Sequence, residues 1–237
     1  MKNKVQKIFV FDVGNTLVEK ASNMLAPELV NDLLSLQDKG SIIGLATMRN
    51  LAKLKEILIQ VPFDFFIALN GAYVECKKEI LTDKPIDNNI LSKISSTIEK
   101  QKIEYLLYSK YEIHRKIQRK ENYYGIELKN CNKEIYNIQK ELPTFAFHIW
   151  ENGKNCDIHS IDVSKSKGIL EVCQYLDISI KNTVAFGDGF NDIELFKSCG
   201  LSIAMETAPD ELKQIASFVT KSVSKNGVSY ALNHLSL

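Results

Sequence analysis

The chain has 237 residues, 45% of them hydrophobic, and a formal net charge of +1. That length suits one large or two modest domains with a real core, and the balanced charge argues against a nucleic-acid or membrane-surface partner. Apolar runs are only a few residues long, which excludes a membrane-spanning helix and a signal-peptide core. The five cysteines are dispersed with no CxxC pair, so free thiols in a reducing cytoplasm are expected. The four histidines, His114, His148, His159 and His234, lack zinc-ligand spacing.

In chain order, Ile8 to Phe11 is a short apolar run ending in Asp12 and a turn. This is the pattern of a central strand that delivers a carboxylate to the edge of a sheet. Pro27 opens a helix with the stripe Leu29, Leu33, Leu36, and Gly40 stops it. Ser41 to Ala46 is a second buried strand, ending at Thr47; Asn50 then caps a helix with Leu51, Leu54 and Leu58 inward. Phe65 to Leu69 is a third strand, and Asn70-Gly71 turns it into a hairpin with Ala72 to Cys76. These elements make a βαβαβ half of a doubly wound, Rossmann-like parallel sheet.

Composition shifts near Lys77 toward lysine, asparagine and tyrosine. A helix marked by Ile90, Ile94 and Ile98 is followed by a strand over Glu104 to Ser109. A short helix over Glu134 to Leu142 ends at Pro143, and Thr144 to Trp150 alternates as a strand with one wet face. Residues 78–159 are therefore expected to form a small α+β domain inserted into a core of residues 1–77 and 160–237. In that second core segment a helical stripe of Ile169, Val172, Cys173 and Leu176 follows Lys165 to Gly168. Strands are expected at Thr183 to Phe186, Leu201 to Met205 and Phe218 to Thr220, with helices at Ile193 to Ser198 and Pro209 to Ser217.

A second acidic turn, Gly187-Asp188-Gly189-Phe190-Asn191-Asp192, repeats the build of the first, with a short strand running into carboxylates. Two such turns can meet on one sheet edge. Bare carboxylates there repel by about 4 kcal/mol per pair at ~4 Å and an effective dielectric of about 20. A hard cation with oxygen ligands removes that cost, and Mg²⁺ is the usual one in phosphate chemistry. GDGFND half-matches a dinucleotide fingerprint, but it lacks the third glycine and its two acids would repel a pyrophosphate.

Four marks stand in fixed order: Asp12-Val13-Gly14-Asn15-Thr16, Thr47-Met48-Arg49, Lys167-Gly168 and the late acidic turn. With LNGAYV at 69–74 and VSKSKGI at 163–169, the set resembles the haloacid dehalogenase (HAD) superfamily, most of all its Cof-like sugar-phosphatase branch. The resemblance implies a core with an inserted cap. It also implies an Mg²⁺-dependent phosphatase acting on a small phosphorylated metabolite, a sugar phosphate or similar. Asp12 would attack phosphorus and become an aspartyl-phosphate. Thr47, Met48, Arg49 and Asn191 would lie on the substrate side. Asp12, the Gly14 carbonyl, Asp188 and Asp192 would hold the metal. Spacing alone does not choose a lysine from the run Lys165-Ser166-Lys167; the family pattern of lysine before glycine picks Lys167 as the charge between nucleophile and phosphoryl group.

The chain departs from that family at one position. The usual first motif is DxDGT, and here Gly14 and Asn15 stand at its second aspartate and glycine. In the family that aspartate protonates the leaving group and later activates water; glycine can do neither. The loss typically costs 10²–10⁴ in rate. The alternative is a catalytically degenerate relative that binds a phosphorylated ligand or protein partner. A substitute acid from the cap, with Glu112, His114 and Glu121 as candidates, is a third expectation.

Overall fold

The structure, a computed structural model, describes residues 6–19, 22–131, 134–150 and 153–237. The first part of the chain builds β1 (Ile8–Phe11), α1 (Pro27–Asp38), β2 (Ile42–Ala46), α2 (Leu51–Gln60) and β3 (Phe65–Ala68). A turn at Leu69–Gly71 leads to β4 (Tyr73–Cys76) and β5 (Glu79–Asp83). The middle part holds α3 (Asn88–Lys100), β6 (Glu104–Tyr108), β7 (Ile113–His114), β8 (Gly125–Lys129), α4 (Glu134–Glu141), β9 (Phe145–Ile149) and β10 (Cys156–Ser160). The last part holds α5 (Lys165–Leu176), β11 (Thr183–Gly187), α6 (Ile193–Ser198), β12 (Leu201–Ala204), α7 (Asp210–Ile215), β13 (Phe218–Val219) and α8 (Gly227–His234).

The chain divides into two compact units. The larger comprises Met1–Arg49, Lys53–Thr82 and Ser164–Leu237; the smaller comprises Asn50–Ala52 and Asp83–Val163. The larger unit reaches a few residues past the composition change at Lys77, because β5 adds an edge strand to its sheet.

That sheet has eight strands in the order β13-β12-β11-β1-β2-β3-β4-β5. The six strands from β13 to β3 are parallel, and β4 returns antiparallel to β3, with Phe65 opposite Cys76. The strands β1, β2 and β11 are buried throughout, as expected for apolar runs covered on both faces. Strand order reverses at β1: β2 lies on one side and β11 on the other, so a crevice opens outside their carboxyl ends. Asp12 and Asp188 leave the sheet there.

The smaller unit is a five-stranded antiparallel sheet in the order β7-β6-β8-β10-β9. Leu91, Ile94 and Ile98 of α3 and Ile135 and Ile138 of α4 pack with Leu107, Ile126 and Ile158 in one apolar cluster. The helix faces inward through Leu91, Ile94 and Ile98, a three- and four-residue spacing, and leaves Ile90 42% exposed. The strands β7, β8 and β10 and helix α8 are short elements that were not expected from sequence.

The other sheet face places His159 on β10 against His148 on β9, their Nε2 atoms 3.1 Å apart and their rings stacked. Burial first, then the neighbouring His148, pushes His159 down to about 3. The unfolded chain takes up this proton near the ordinary histidine value of ~6.5, whereas the folded chain does not until far lower. The unfolded state therefore binds more protons across that window, and stability falls as the pH drops below ~6.5. Between pH 7 and 5.5 the expected loss attributable to this ring is about 1 kcal/mol. Urea unfolding of wild type and His159→Gln at both pH values checks it; equal losses in the two proteins would refute it.

Candidate active site

The first acidic turn is fixed at both ends. The Asp12 backbone N–H donates to the Phe186 carbonyl at 2.9 Å, which ties the end of β1 to β11. Past Gly14, Asn15 takes a left-handed conformation (φ 54°) and its N–H donates to the Val18 carbonyl at 2.7 Å. Asparagine tolerates this region better than most residues, so the turn survives without the usual glycine. The Thr16 hydroxyl reaches back toward Asp188 Oδ1 at 3.4 Å.

The second acidic turn is built around Asp192, which is wholly buried on a 3-10 turn over Phe190–Asp192. Its Oδ2 accepts from the backbone N–H groups of Asp188 at 3.1 Å and Gly189 at 3.0 Å. Glycine at 187 is required for this: a Cβ there would lie 2.5 Å from the Asp192 carboxyl carbon. Asp192 thus folds the loop that aims Asp188 at the crevice.

The lysine in the cluster is Lys165, not Lys167. Lys165 Nζ donates to Asp12 Oδ1 at 2.6 Å and to Asp192 Oδ1 at 2.7 Å, and its side chain is fully buried. Lys167 is exposed, and its backbone N–H donates to the Ser164 Oγ that caps α5. The reason is helical phase. Residues 165, 168, 169 and 172 lie on the buried stripe of α5, and 167 points about 200° away from 165. The buried stripe was readable from sequence; extending it back from Val172 and Ile169 through Gly168 leads to Lys165. Gly168 serves packing, since a Cβ there would sit 2.5 Å from Ile67 Cγ2 on β3.

Burial alone would lower the Lys165 ammonium, but Asp12 and Asp192 outweigh it and hold the group above its ordinary value. Lysine is therefore charged in the cluster. Asp188 is pushed up to about 8 by burial and by the charges of Asp12 and Asp192. Asp192 moves up as well, again through burial, with Lys165 opposing.

The second motif is also held against the hairpin turn. The Asn70 N–H donates to the Thr47 carbonyl at 2.9 Å and the Leu69 N–H to the Arg49 carbonyl at 3.1 Å. The buried Thr47 hydroxyl accepts from the Arg49 N–H at 3.2 Å and keeps its own proton to donate. The half-buried Arg49 donates from Nη1 to Asn23 Oδ1 at 2.7 Å. Burial lowers the Arg49 pKa while the nearby Asp12 raises it, which puts guanidinium and nucleophile in electrostatic reach. Met48 lies between Thr47 and Arg49, half-buried. Asn191 sits on the Asp192 turn, half-buried, with its Oδ1 folded back over Gly189.

The donor set fits a divalent cation. Carboxylate oxygens of Asp12, Asp188 and Asp192 lie within 4.8 Å of one another, and this is the one such cluster of three or more acidic, histidine or cysteine ligands among the described residues. Three carboxylates facing one ammonium leave a formal excess of two negative charges in a poorly solvated crevice. Burial first, then that excess, pushes Asp188 up. An all-oxygen set matches a hard ion such as Mg²⁺.

A family model described as haloacid dehalogenase-like hydrolase matches residues 9–150 and 114–232. YkrA of Bacillus subtilis strain 168, named as a candidate phosphatase, is 26% identical over 98% of both chains. Phosphoglycolate phosphatase 1 of Saccharolobus solfataricus is 25% identical over 94% of this chain and 92% of its own. The solved structure of BT4131, a subclass IIB sugar phosphatase of the HAD superfamily, superposes with a TM-score of 0.84 at 22% identity, covering 98% of this chain and 99% of that one. With its two acidic turns on adjacent parallel strands and its separate antiparallel unit, the chain belongs to the haloacid dehalogenase-like hydrolases.

Proposed function

We propose that this protein is a divalent-metal-dependent phosphatase that hydrolyses a small phosphorylated metabolite through an aspartyl-phosphate on Asp12. One observation carries the reading: the Lys165 ammonium bridges Asp12 and Asp192 at 2.6 and 2.7 Å, with Asp188 alongside. A nucleophilic carboxylate needs a fixed positive charge beside it to accept a dianionic phosphoryl group. The phosphatase names of the relatives agree.

In the first step an oxygen of Asp12 attacks phosphorus and the bond to the leaving group breaks. In the second, water attacks phosphorus, inorganic phosphate departs and the Asp12 carboxylate is restored. Lys165 screens the charge on Asp12 and on the incoming phosphoryl oxygens. The Thr47 hydroxyl and the N–H group of Met48 would donate to those oxygens, with Asn191 on the same side. Asp12, Asp188 and the Gly14 carbonyl would hold the metal and Asp192 would orient them; when bound, Mg²⁺ supplies charge neutralisation at the phosphoryl group. The five cysteines are all free and four are buried, which fits a cytoplasmic setting. Among the described residues, no helix is long and apolar enough to cross a membrane.

The test is phosphate release from acetyl phosphate and 4-nitrophenyl phosphate with Mg²⁺ and with a chelator, together with acid quenching to trap the phosphoenzyme. Release that depends on Mg²⁺ and a hydroxylamine-labile phosphate on wild type but not on Asp12→Asn is the expected result. No release from either compound and no trapped phosphate would refute the reading in favour of a phospho-ligand binder.

A further inference from the structure

The space beside the nucleophile at Gly14 is open. A Cβ built there meets, apart from its chain neighbours, one described heavy atom within 4 Å, and that atom is Arg49 Nη2 at 4.0 Å. The guanidinium is not free to swing: its other terminal nitrogen donates to Asn23 Oδ1 at 2.7 Å, and the Arg49 carbonyl is tied to the hairpin turn. Beside the turn that exposes the nucleophile there is therefore a held cation, and at Gly14 no side chain at all. An arginine keeps its proton throughout the neutral range and so cannot serve as a proton donor there. It can stabilise negative charge, and its planar fork matches a carboxylate or a phosphate with two parallel hydrogen bonds.

We propose that Arg49 Nη2 stabilises the departing oxygen as an anion, and that the physiological substrates are phosphoric anhydrides (acyl phosphates or phosphoanhydrides) rather than alkyl phosphates such as sugar phosphates. The proposal rests on the phosphatase reading above and adds the substrate class. In the first step the Asp12 oxygen forms its bond to phosphorus and the phosphorus–oxygen bond to the leaving group breaks. The electron pair stays on the leaving oxygen. For an acyl phosphate that product is a carboxylate with a pKa near ~4, and for a phosphoanhydride it is a phosphate with a second pKa near ~6, so neither needs a proton to depart. An alkyl phosphate would have to expel an alkoxide about as basic as hydroxide, and Arg49 has no proton to give it. In the second step water attacks phosphorus, Asp12 leaves as a carboxylate, and the water proton goes to the phosphate product or to solvent.

The experiment measures kcat/KM for wild type with Mg²⁺ on acetyl phosphate, pyrophosphate, glucose 6-phosphate and a series of aryl phosphates of rising leaving-group pKa. Acetyl phosphate is expected to exceed glucose 6-phosphate by about 10³-fold, within the range that a missing acid costs, and the aryl series is expected to fall steeply. Arg49→Gln should lower kcat on acetyl phosphate by about 10²-fold, the scale of one removed oxyanion donor, and steepen the aryl slope, with Arg49→Lys intermediate. Gly14→Asp, for which there is room, should flatten the slope and raise the glucose 6-phosphate rate. A wild type that cleaves glucose 6-phosphate as fast as acetyl phosphate overturns the substrate class and leaves the phosphatase reading standing. An aryl slope unchanged in Arg49→Gln, with folding verified by its melting temperature, overturns the role of Arg49. No turnover of any compound overturns both.

Discussion

Lys165→Met is expected to lower kcat by about 10²–10³-fold, and Lys167→Met to change it by no more than about twofold. The two lysines are two residues apart on one helix, yet one is fully buried between Asp12 and Asp192 and the other is exposed. Methionine keeps most of the lysine volume, so the substitution removes the charge rather than the packing. It leaves Asp12, Asp188 and Asp192 without their ammonium, and at least one of them then takes up a proton. If that proton goes to Asp12, the nucleophile is lost; if it goes to Asp188 or Asp192, the metal ligands are weakened. Either way the rate falls, and the Mg²⁺ concentration for half-maximal rate rises. Steady-state rates across an Mg²⁺ titration of both variants decide the matter. A Lys167→Met protein as impaired as Lys165→Met would mean that the helix sits in another phase when active.

Gly71→Ala is expected to destabilise the larger unit by about 2–4 kcal/mol, which for a protein of this size lowers the melting temperature by roughly 5–15 °C. Two causes add. Gly71 has φ +97°, where an L side chain is strained, and its Cβ would press into the Ser164 carbonyl well inside contact distance. Ser164 caps α5, and Lys165 is the next residue. The clash therefore pushes at the helix end that carries the ammonium, so the surviving folded protein should also lose turnover. Thermal unfolding and kcat of the variant test both parts; an unchanged melting temperature would show that the hairpin and α5 do not touch as described. Gly168→Ala makes a useful comparison, since its Cβ meets the branched side chain of Ile67 rather than backbone.

Much of the fold was legible because the core strands are apolar runs bounded by turn residues. β1, β2, β3, β11 and β12 lie where those runs are, and Pro27, Gly40 and Pro209 mark helix ends in the expected way. The strands β8 and β10 do alternate, Ile126 and Leu128 with Glu127 and Lys129 on one and Cys156 and Ile158 with Asp157 and His159 on the other, but each carries only two apolar residues, too short a run to stand out in a lysine- and asparagine-rich stretch. The helix α8 was hidden by Gly227 at its first turn and a preceding Asn226 in a left-handed conformation. The carboxylates of the site were readable from two strand-end turns. The lysine was not, because a lysine-before-glycine pattern places a residue in sequence but not around a helix. Arg49 was expected on the substrate side through the family resemblance; what the sequence did not show is its place beside the empty space left by Gly14, a relation between residues 35 positions apart.

Strand β1 pairs with β11 from Ile8 opposite Thr183 to Phe11 opposite Phe186, a partner far down the chain. On a ribosome making about 5–20 residues per second, that partner emerges roughly 10–35 s later. The antiparallel unit between them pairs neighbouring segments and can fold in the meantime, while the hydrophobic strand bearing the nucleophile waits half-covered. Slow synthesis past residue 160, or truncation before β11, should therefore yield aggregation-prone chains and recruit chaperones, even though every residue of the early βαβ segment is intact.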